Sequence, residues 1–157
     1  MPKLTYLQPH ELVPKSILDK RGAQALECMD FRILHMVDLL RGNLKKEGFD
    51  NGFVVNNWKS GGGKTQSGLR VPGQQEYSNT SQHSFGRAVD FTTKTPIKTI
   101  HKHILTNLDK YPHIRFIEVD ISWCHVDCRD NFDDDRIKLW SPKRGFVSVE
   151  QYLKELG

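Results

Sequence analysis

Two histidines and an aspartate carry the clearest chemical potential in this chain. Residues 81–90 read SQHSFGRAVD and residues 122–128 read SWCHVDC, which supplies His83, Asp90 and His125. Two imidazoles and one carboxylate are the donor set of a hydrolytic zinc site, in which the fourth position is left for water. Zinc held that way lowers the pKa of water toward about 7 and polarises a carbonyl oxygen. Any one of these side chains, taken singly, is more often a surface group or a turn former. The chemistry depends on whether the fold brings all three together.

The elements that must do so are legible in outline. Gly86 and the β-branched residues after it argue against a helix over 83–90. A turn at Gly86 running into a strand, RAVDFTT, lets a loop histidine fold back toward Asp90. The segment RFIEVDISWCHVDC alternates as one strand, with Ile117, Val119, Ile121, Trp123, His125 and Asp127 on one face, so that His125 arrives from a neighbouring strand. Upstream, residues 59–81 are rich in Gly, Ser, Gln, Asn and Thr and read as one long functional loop. GFVVNN reads as a short strand. Leu26, Met29, Ile33, Met36, Val37, Leu40 and Leu44 recur at helical spacing and predict one helix over 23–46, ended by Gly48. A second helix, capped by Thr95 with Pro96 at its first position, buries Ile97, Ile100, Ile104 and Leu108. A third starts at Ser148, whose spacing to Gln151 allows a capping box. Pro2, Pro9 and Pro14 make residues 1–20 an extended lead-in. The expectation is a single α+β domain over 1–157, with a small, mostly antiparallel sheet and flanking helices.

Three separate stretches carry a family resemblance. SQHSFGRAVD resembles the S-x-H-x-x-G-x-A-x-D signature of the zinc D-Ala-D-Ala carboxypeptidases and L-alanyl-D-glutamate endopeptidases, which share the hedgehog/DD-peptidase fold; Ser81, His83, Gly86, Ala88 and Asp90 fill its fixed positions. SGLR, residues 67–70, resembles the family's S-G-x-R element, and WCHVDCR resembles its W-x-H-x-D segment. The resemblance spans residues 54–129 and implies zinc on His83, Asp90 and His125. It implies that Arg70 steadies a substrate carboxylate or the developing oxyanion, and that Ser81 hydrogen-bonds behind a ligand or beside the substrate. Gly86 would permit the tight turn and Ala88 close packing behind the metal.

The chain departs from the family at one point. Many members carry an acidic residue three positions before the second histidine, as the base that takes a proton from water; Ser122 stands there, and a hydroxyl is too weak a base to replace it. Asp120 is the preferred substitute, provided a bulge around Ser122 turns it to His125's face. Glu118 has the same facing problem, and Asp127 shares His125's face but could serve to orient it. The expected function is zinc-dependent hydrolysis of a peptide bond in the peptidoglycan stem, as a phage endolysin or virion-associated wall hydrolase. The alternative is a zinc-binding structural or binding module of the same fold without hydrolysis.

Composition sets the remaining bounds. A net charge of +4 over 157 residues is mildly basic, and the basic residues are scattered, which does not fit a dedicated nucleic-acid binder. GGGK lacks the first glycine of a phosphate loop, because Trp58 stands at that position. Three cysteines suit a reducing compartment, and no apolar run suggests a signal peptide or a membrane span. The product is therefore expected to be made in a host cytoplasm and to act at the cell wall or within a virion. A monomer is expected outside a virion. Cys124, His125 and Cys128 do not make a structural zinc site, since both cysteines point away from His125 on a strand. His101, His103 and His113 are expected at the surface, DNFDDDR is expected to be a solvated turn, and Trp123 is a candidate wall of the pocket.

Overall fold

The computed structural model describes residues 3–157, so Pro2 of the expected lead-in lies outside the described residues. Five α-helices, α1 (Pro9–Leu12), α2 (Lys15–Arg21), α3 (Phe31–Lys46), α4 (Ile97–Leu105) and α5 (Val149–Leu156), flank one five-stranded sheet. Its strands are β1 (Ala88–Phe91), β2 (Phe116–Glu118), β3 (Cys124–Asp127), β4 (Lys138–Ser141) and β5 (Gly145–Val147). They lie in the order β1-β3-β2-β4-β5, and every pairing is antiparallel except the parallel one between β2 and β4. The class is α+β with a mixed sheet.

The register of that sheet matters more than its topology. One cross-strand row reads Val89, Val126, Ile117, Leu139, Val147, and all five are buried in the core. The next row reads Asp90, His125, Glu118, Trp140, Phe146. Successive residues on a strand point to opposite faces, so the first row faces the core and the second faces outward. Burying the apolar row fixes where every member of the polar row stands.

Three expectations about the elements are corrected. Residues 3–20 are not an extended lead-in: α1 and α2 form there, and the chain before them is held down by Asp38 of α3, whose carboxylate accepts the backbone N–H groups of Thr5, Tyr6 and Leu7 at 2.9, 2.7 and 2.9 Å. A proline at a first helical turn is compatible with helix, which is how Pro9 is used. The single helix over 23–46 is broken: Gly22–Cys28 is 3-10 helix, and α3 starts only at Phe31, because Asp30 is extended and caps the backbone N–H of Arg32. Residues 115–128 are two strands and a hairpin. Asp120 sits in the turn with φ 61°, and Ile117 therefore faces the core while His125 faces outward.

Smaller expectations fare variously. GFVVNN forms one bridge, Val54 to Thr92, instead of a strand. The expected Thr95 cap does not form: Pro96 occupies the N-cap position of α4 with no side-chain cap, and Ile100 and Ile104 form the buried stripe. Ser148 caps α5 by accepting from the Gln151 N–H, while the Gln151 side chain turns instead to Glu155. The acidic stretch 130–136 is mostly exposed and forms no strand or helix.

Candidate metal centre

Each ligand reaches the centre from a different piece of chain. His83 lies in a tight turn closed by Gly86, and its backbone N–H donates to the Ser81 hydroxyl at 3.2 Å. Gly86 has φ 66°, and a Cβ there would stand 2.5 Å from the Cys28 carbonyl oxygen. The Gly86 carbonyl accepts the Asp30 N–H at 2.9 Å, so the turn is docked on the start of α3. Asp90 follows on β1, and His125 is its direct cross-strand partner on β3. Ala88 is fully buried behind them.

The donor atoms converge. One ligand atom from each of His83, Asp90 and His125 lies within 4.8 Å of the other two. His83 Nε2 is 3.2 Å from Asp90 Oδ2, and His125 Nδ1 is 2.7 Å from Asp90 Oδ1. Both rings are oriented from behind. His83 Nδ1 is 2.8 Å from the Gly68 carbonyl oxygen, which can only accept, so Nδ1 carries a hydrogen and Nε2 is the ring atom aimed at Asp90. His125 Nε2 is 3.1 Å from Asp127 Oδ2, so Nε2–H is the donor to that carboxylate and Nδ1 faces Asp90. Asp127 is wholly buried and is itself held by Arg129 Nε at 2.9 and 3.0 Å.

The electrostatics suit a cation. Burial would raise the Asp90 pKa, but the hydrogen bonds from His125 and His83 win and hold it well below the usual carboxylate range. Burial would lower His125, yet the Asp127 and Asp90 carboxylates raise it to about 9. The protein alone therefore keeps a positive charge between Asp90 and the imidazoles, in the form of a proton on His125. A divalent ion placed among the same atoms meets two imidazole lone pairs and an ionised carboxylate, which fits the donor set of a hydrolytic metal site. The group can bind a metal ion.

The other predicted site residues are distributed as follows. Arg70 is at the centre, with three of its five N–H donors engaged: Nε with the Gln66 carbonyl at 2.8 Å, one terminal nitrogen with the Glu76 carbonyl at 3.4 Å, and the other with Asp90 Oδ2 at 3.2 Å. It holds a ligand from outside. Ser81 fixes the His83 turn and lines the adjoining pocket. Asp120 is not at the centre. No bulge forms at Ser122; the hairpin turn sends Asp120 to Arg144 Nε, 2.9 Å away, and leaves Ser122 exposed. The carboxylate that does face His125 is Glu118, its cross-strand partner on β2. Burial raises the Glu118 pKa above the ordinary carboxylate value. Reading one strand instead of a hairpin hid it, because the hairpin changes which residues share a face.

Two pockets are each lined by one of the ligands. His125 and Glu118 line one, together with Thr80, Gln82, Trp140 and Phe146; Asp90 lines the other, together with Lys64, Ser67, Thr92 and Trp123. Trp123 thus takes the wall position expected of it. Cys124 and Cys128 are free and buried, away from the centre. His101 is a further correction: it is buried, with Nδ1 2.8 Å from the Tyr152 hydroxyl. No helix among the described residues is long and apolar enough to cross a membrane. Comparison with family models, with curated proteins and with solved structures finds no match to this chain, and the functional reading rests on the site.

Proposed function

We propose that this chain is a zinc-dependent peptidase that hydrolyses a peptide bond in the peptidoglycan stem, built on a hedgehog/DD-peptidase-like fold and acting as a phage-type wall hydrolase. The observation that carries the reading is the convergence of His83 Nε2, His125 Nδ1 and the Asp90 carboxylate, with a pocket beside His125, another beside Asp90, and the Glu118 carboxylate one strand away. The motif resemblance around the same three ligands supports the identity of the metal and the substrate class. Zinc bound there would supply a Lewis acid for the scissile carbonyl and would acidify water.

The residues of the chain divide the remaining work. Glu118 takes the proton from the attacking water and returns it to the leaving amine, the role that Ser122 cannot fill. A raised pKa in a half-buried carboxylate suits a group that must both accept and donate. Arg70 and Asp127 hold Asp90 and His125 in place, so the ligands cost no reorganisation during turnover. Trp140 and Phe146 extend the row beyond Glu118 and offer apolar surface to one side of the substrate.

The test is digestion of purified peptidoglycan by the zinc-loaded protein, with released fragments read by mass spectrometry. New fragments are expected, absent with EDTA and with His83→Ala. Glu118→Gln should keep its metal and lose about 10²- to 10⁴-fold in rate. Metal binding without fragments from any wall type would favour a second reading, a zinc-holding binding module, for which the exposed Ser122 in the family's base position is the supporting observation.

A further inference from the structure

The pocket on the Asp90 side has a feature that the hydrolytic machinery does not use. Lys64 lines it, half-buried, and its ammonium donates to the Thr92 hydroxyl. Among the described residues no carboxylate stands within ion-pair distance of it. The arginines at the centre are already paired: Arg70 with Asp90, and Arg129 with Asp127. Partial burial pulls the Lys64 pKa down, which is the cost of keeping a cation there without an anion.

Its position is fixed by the loop and the sheet together. Asn57 Oδ1 accepts the Lys64 N–H at 2.9 Å, and the Asn57 N–H donates back to the Lys64 carbonyl at 3.0 Å. Thr92 lies two residues beyond Asp90 and so points to the same face, about 7 Å along the strand direction. Trp123, two residues before His125, stands beside it and lines the same pocket. An ammonium, a hydroxyl and an indole wall at that separation from the metal ligands describe a site for a small anion.

We infer that Lys64, with Thr92 and Trp123, forms a subsite for a free carboxylate carried by the residue that follows the cut bond. The inference rests on the peptidase reading. In an extended peptide, neighbouring Cα atoms are 3.8 Å apart. A carboxylate on the residue after the scissile amide lies one such step from the cut, and a charge-assisted hydrogen bond of about 2.8 Å extends its reach along the pocket that Asp90 and Lys64 share. Arg70 has three of its five N–H donors on Asp90 and the loop carbonyls, which ties its charge to Asp90, whereas Lys64 carries an unpaired charge. The carboxylate can belong to a C-terminal residue or to a glutamate linked through its side chain, and the two make separate arms of the test.

The experiment titrates N-acetyl-D-alanine, γ-methylamide-linked D-glutamate, and the α-carboxamide of each into the zinc-loaded protein by calorimetry. Wild type should prefer an acid over its amide, and Lys64→Met should lose about tenfold or more of that preference. Lys64→Arg should retain it, and the melting temperature of Lys64→Met should stay at the wild-type value. Which acid shows the lysine-dependent preference identifies the source of the carboxylate. If Lys64→Met keeps the full preference, zinc alone is reading the carboxylate and the proposal fails. If Lys64→Met melts lower with its preference intact, Lys64 is only a clamp on Thr92, and the proposal fails too. The titration needs no turnover, so a lack of peptidoglycan cleavage would overturn the peptidase reading while leaving the Lys64 subsite to be decided by binding.

Discussion

Asp127→Asn is the most informative single change, because it alters one atom type in a buried chain of hydrogen bonds. Asp127 accepts from His125 Nε2 at 3.1 Å, from the Arg129 side chain, and from the Arg129 backbone N–H at 3.1 Å. Every partner is a donor. Asparagine has one oxygen and one NH2, so whichever way the amide is turned, its NH2 opposes either His125 Nε2–H or the guanidinium. If it opposes His125, the imidazole is pushed toward the other tautomer, with the hydrogen on the Nδ1 that must bind metal.

Two magnitudes follow, and they can be separated. Breaking a buried charge pair costs about 3–5 kcal/mol. Arg129 is a third exposed in its side chain and can turn to water, so the stability loss should be nearer ~2 kcal/mol. In a protein of this size that lowers Tm by about 4–8 °C. The effect on the metal is independent of Arg129: losing the partner that orients a ligating histidine lowers affinity about 10- to 100-fold. A competition titration of zinc against a chelator reads the second quantity, and a melt of the metal-free protein reads the first. Wild-type zinc affinity in the variant, whatever its Tm, would refute the claim that Asp127 sets the tautomer of His125.

Two other perturbations test the frame around the site. Gly86→Ala should cost at least ~2 kcal/mol and lower zinc affinity, since L-residues disfavour φ 66° and the new methyl would meet the Cys28 carbonyl at 2.5 Å. A wild-type melt for that variant would mean the turn is not docked on α3 as described. His101 supplies a pH dependence away from the metal. Burial, opposed weakly by the Asp120 carboxylate, depresses its pKa to about 4, so the unfolded chain binds a proton that the folded one refuses between pH 6.5 and 4. Stability should therefore fall as the pH drops through that window, by on the order of 3 kcal/mol. Melts in EDTA should show a smaller loss for His101→Gln; equal losses in both proteins would exclude His101 as the source.

What could be read from the sequence divides along a physical line. Local facts raise the ligand set as a candidate, through a glycine able to turn, a β-branched run to carry Asp90 and a second histidine on a later strand, and the motif resemblance is what singles it out. The helical stripe of α3 was legible because Ile33, Val37, Leu40 and Leu44 repeat on one side, whereas its start was not, since Asp30 caps it through a turn whose partner, Gly86, is distant in sequence. The place of Glu118 beside His125 is hidden for a similar reason. Alternation over 115–128 is equally compatible with one long strand and with a hairpin, and only pairing with β1 and β4 decides between them. His101 reads as a surface group in the sequence because its partner, Tyr152, is 51 residues away on α5.

The hairpin also explains how a chain with Ser122 can keep a carboxylate at the site. An acid three residues before His125 would reach it along the chain, around the turn. Glu118 reaches it across the sheet, with Cβ atoms about 4.5–5.5 Å apart in an antiparallel pair. The second route requires that the register never slip, because a shift of one residue would exchange Glu118 for Ile117 or Val119. Val89, Val126, Ile117, Leu139 and Val147 enforce it: the same slip would drive Glu118 into the core and expose Ile117 to water, which is unfavourable twice over. The apolar row thus fixes the place of Glu118 beside His125 as well as the fold. Charge introduced at Ile117 would disturb the position of Glu118 before it touched any metal ligand.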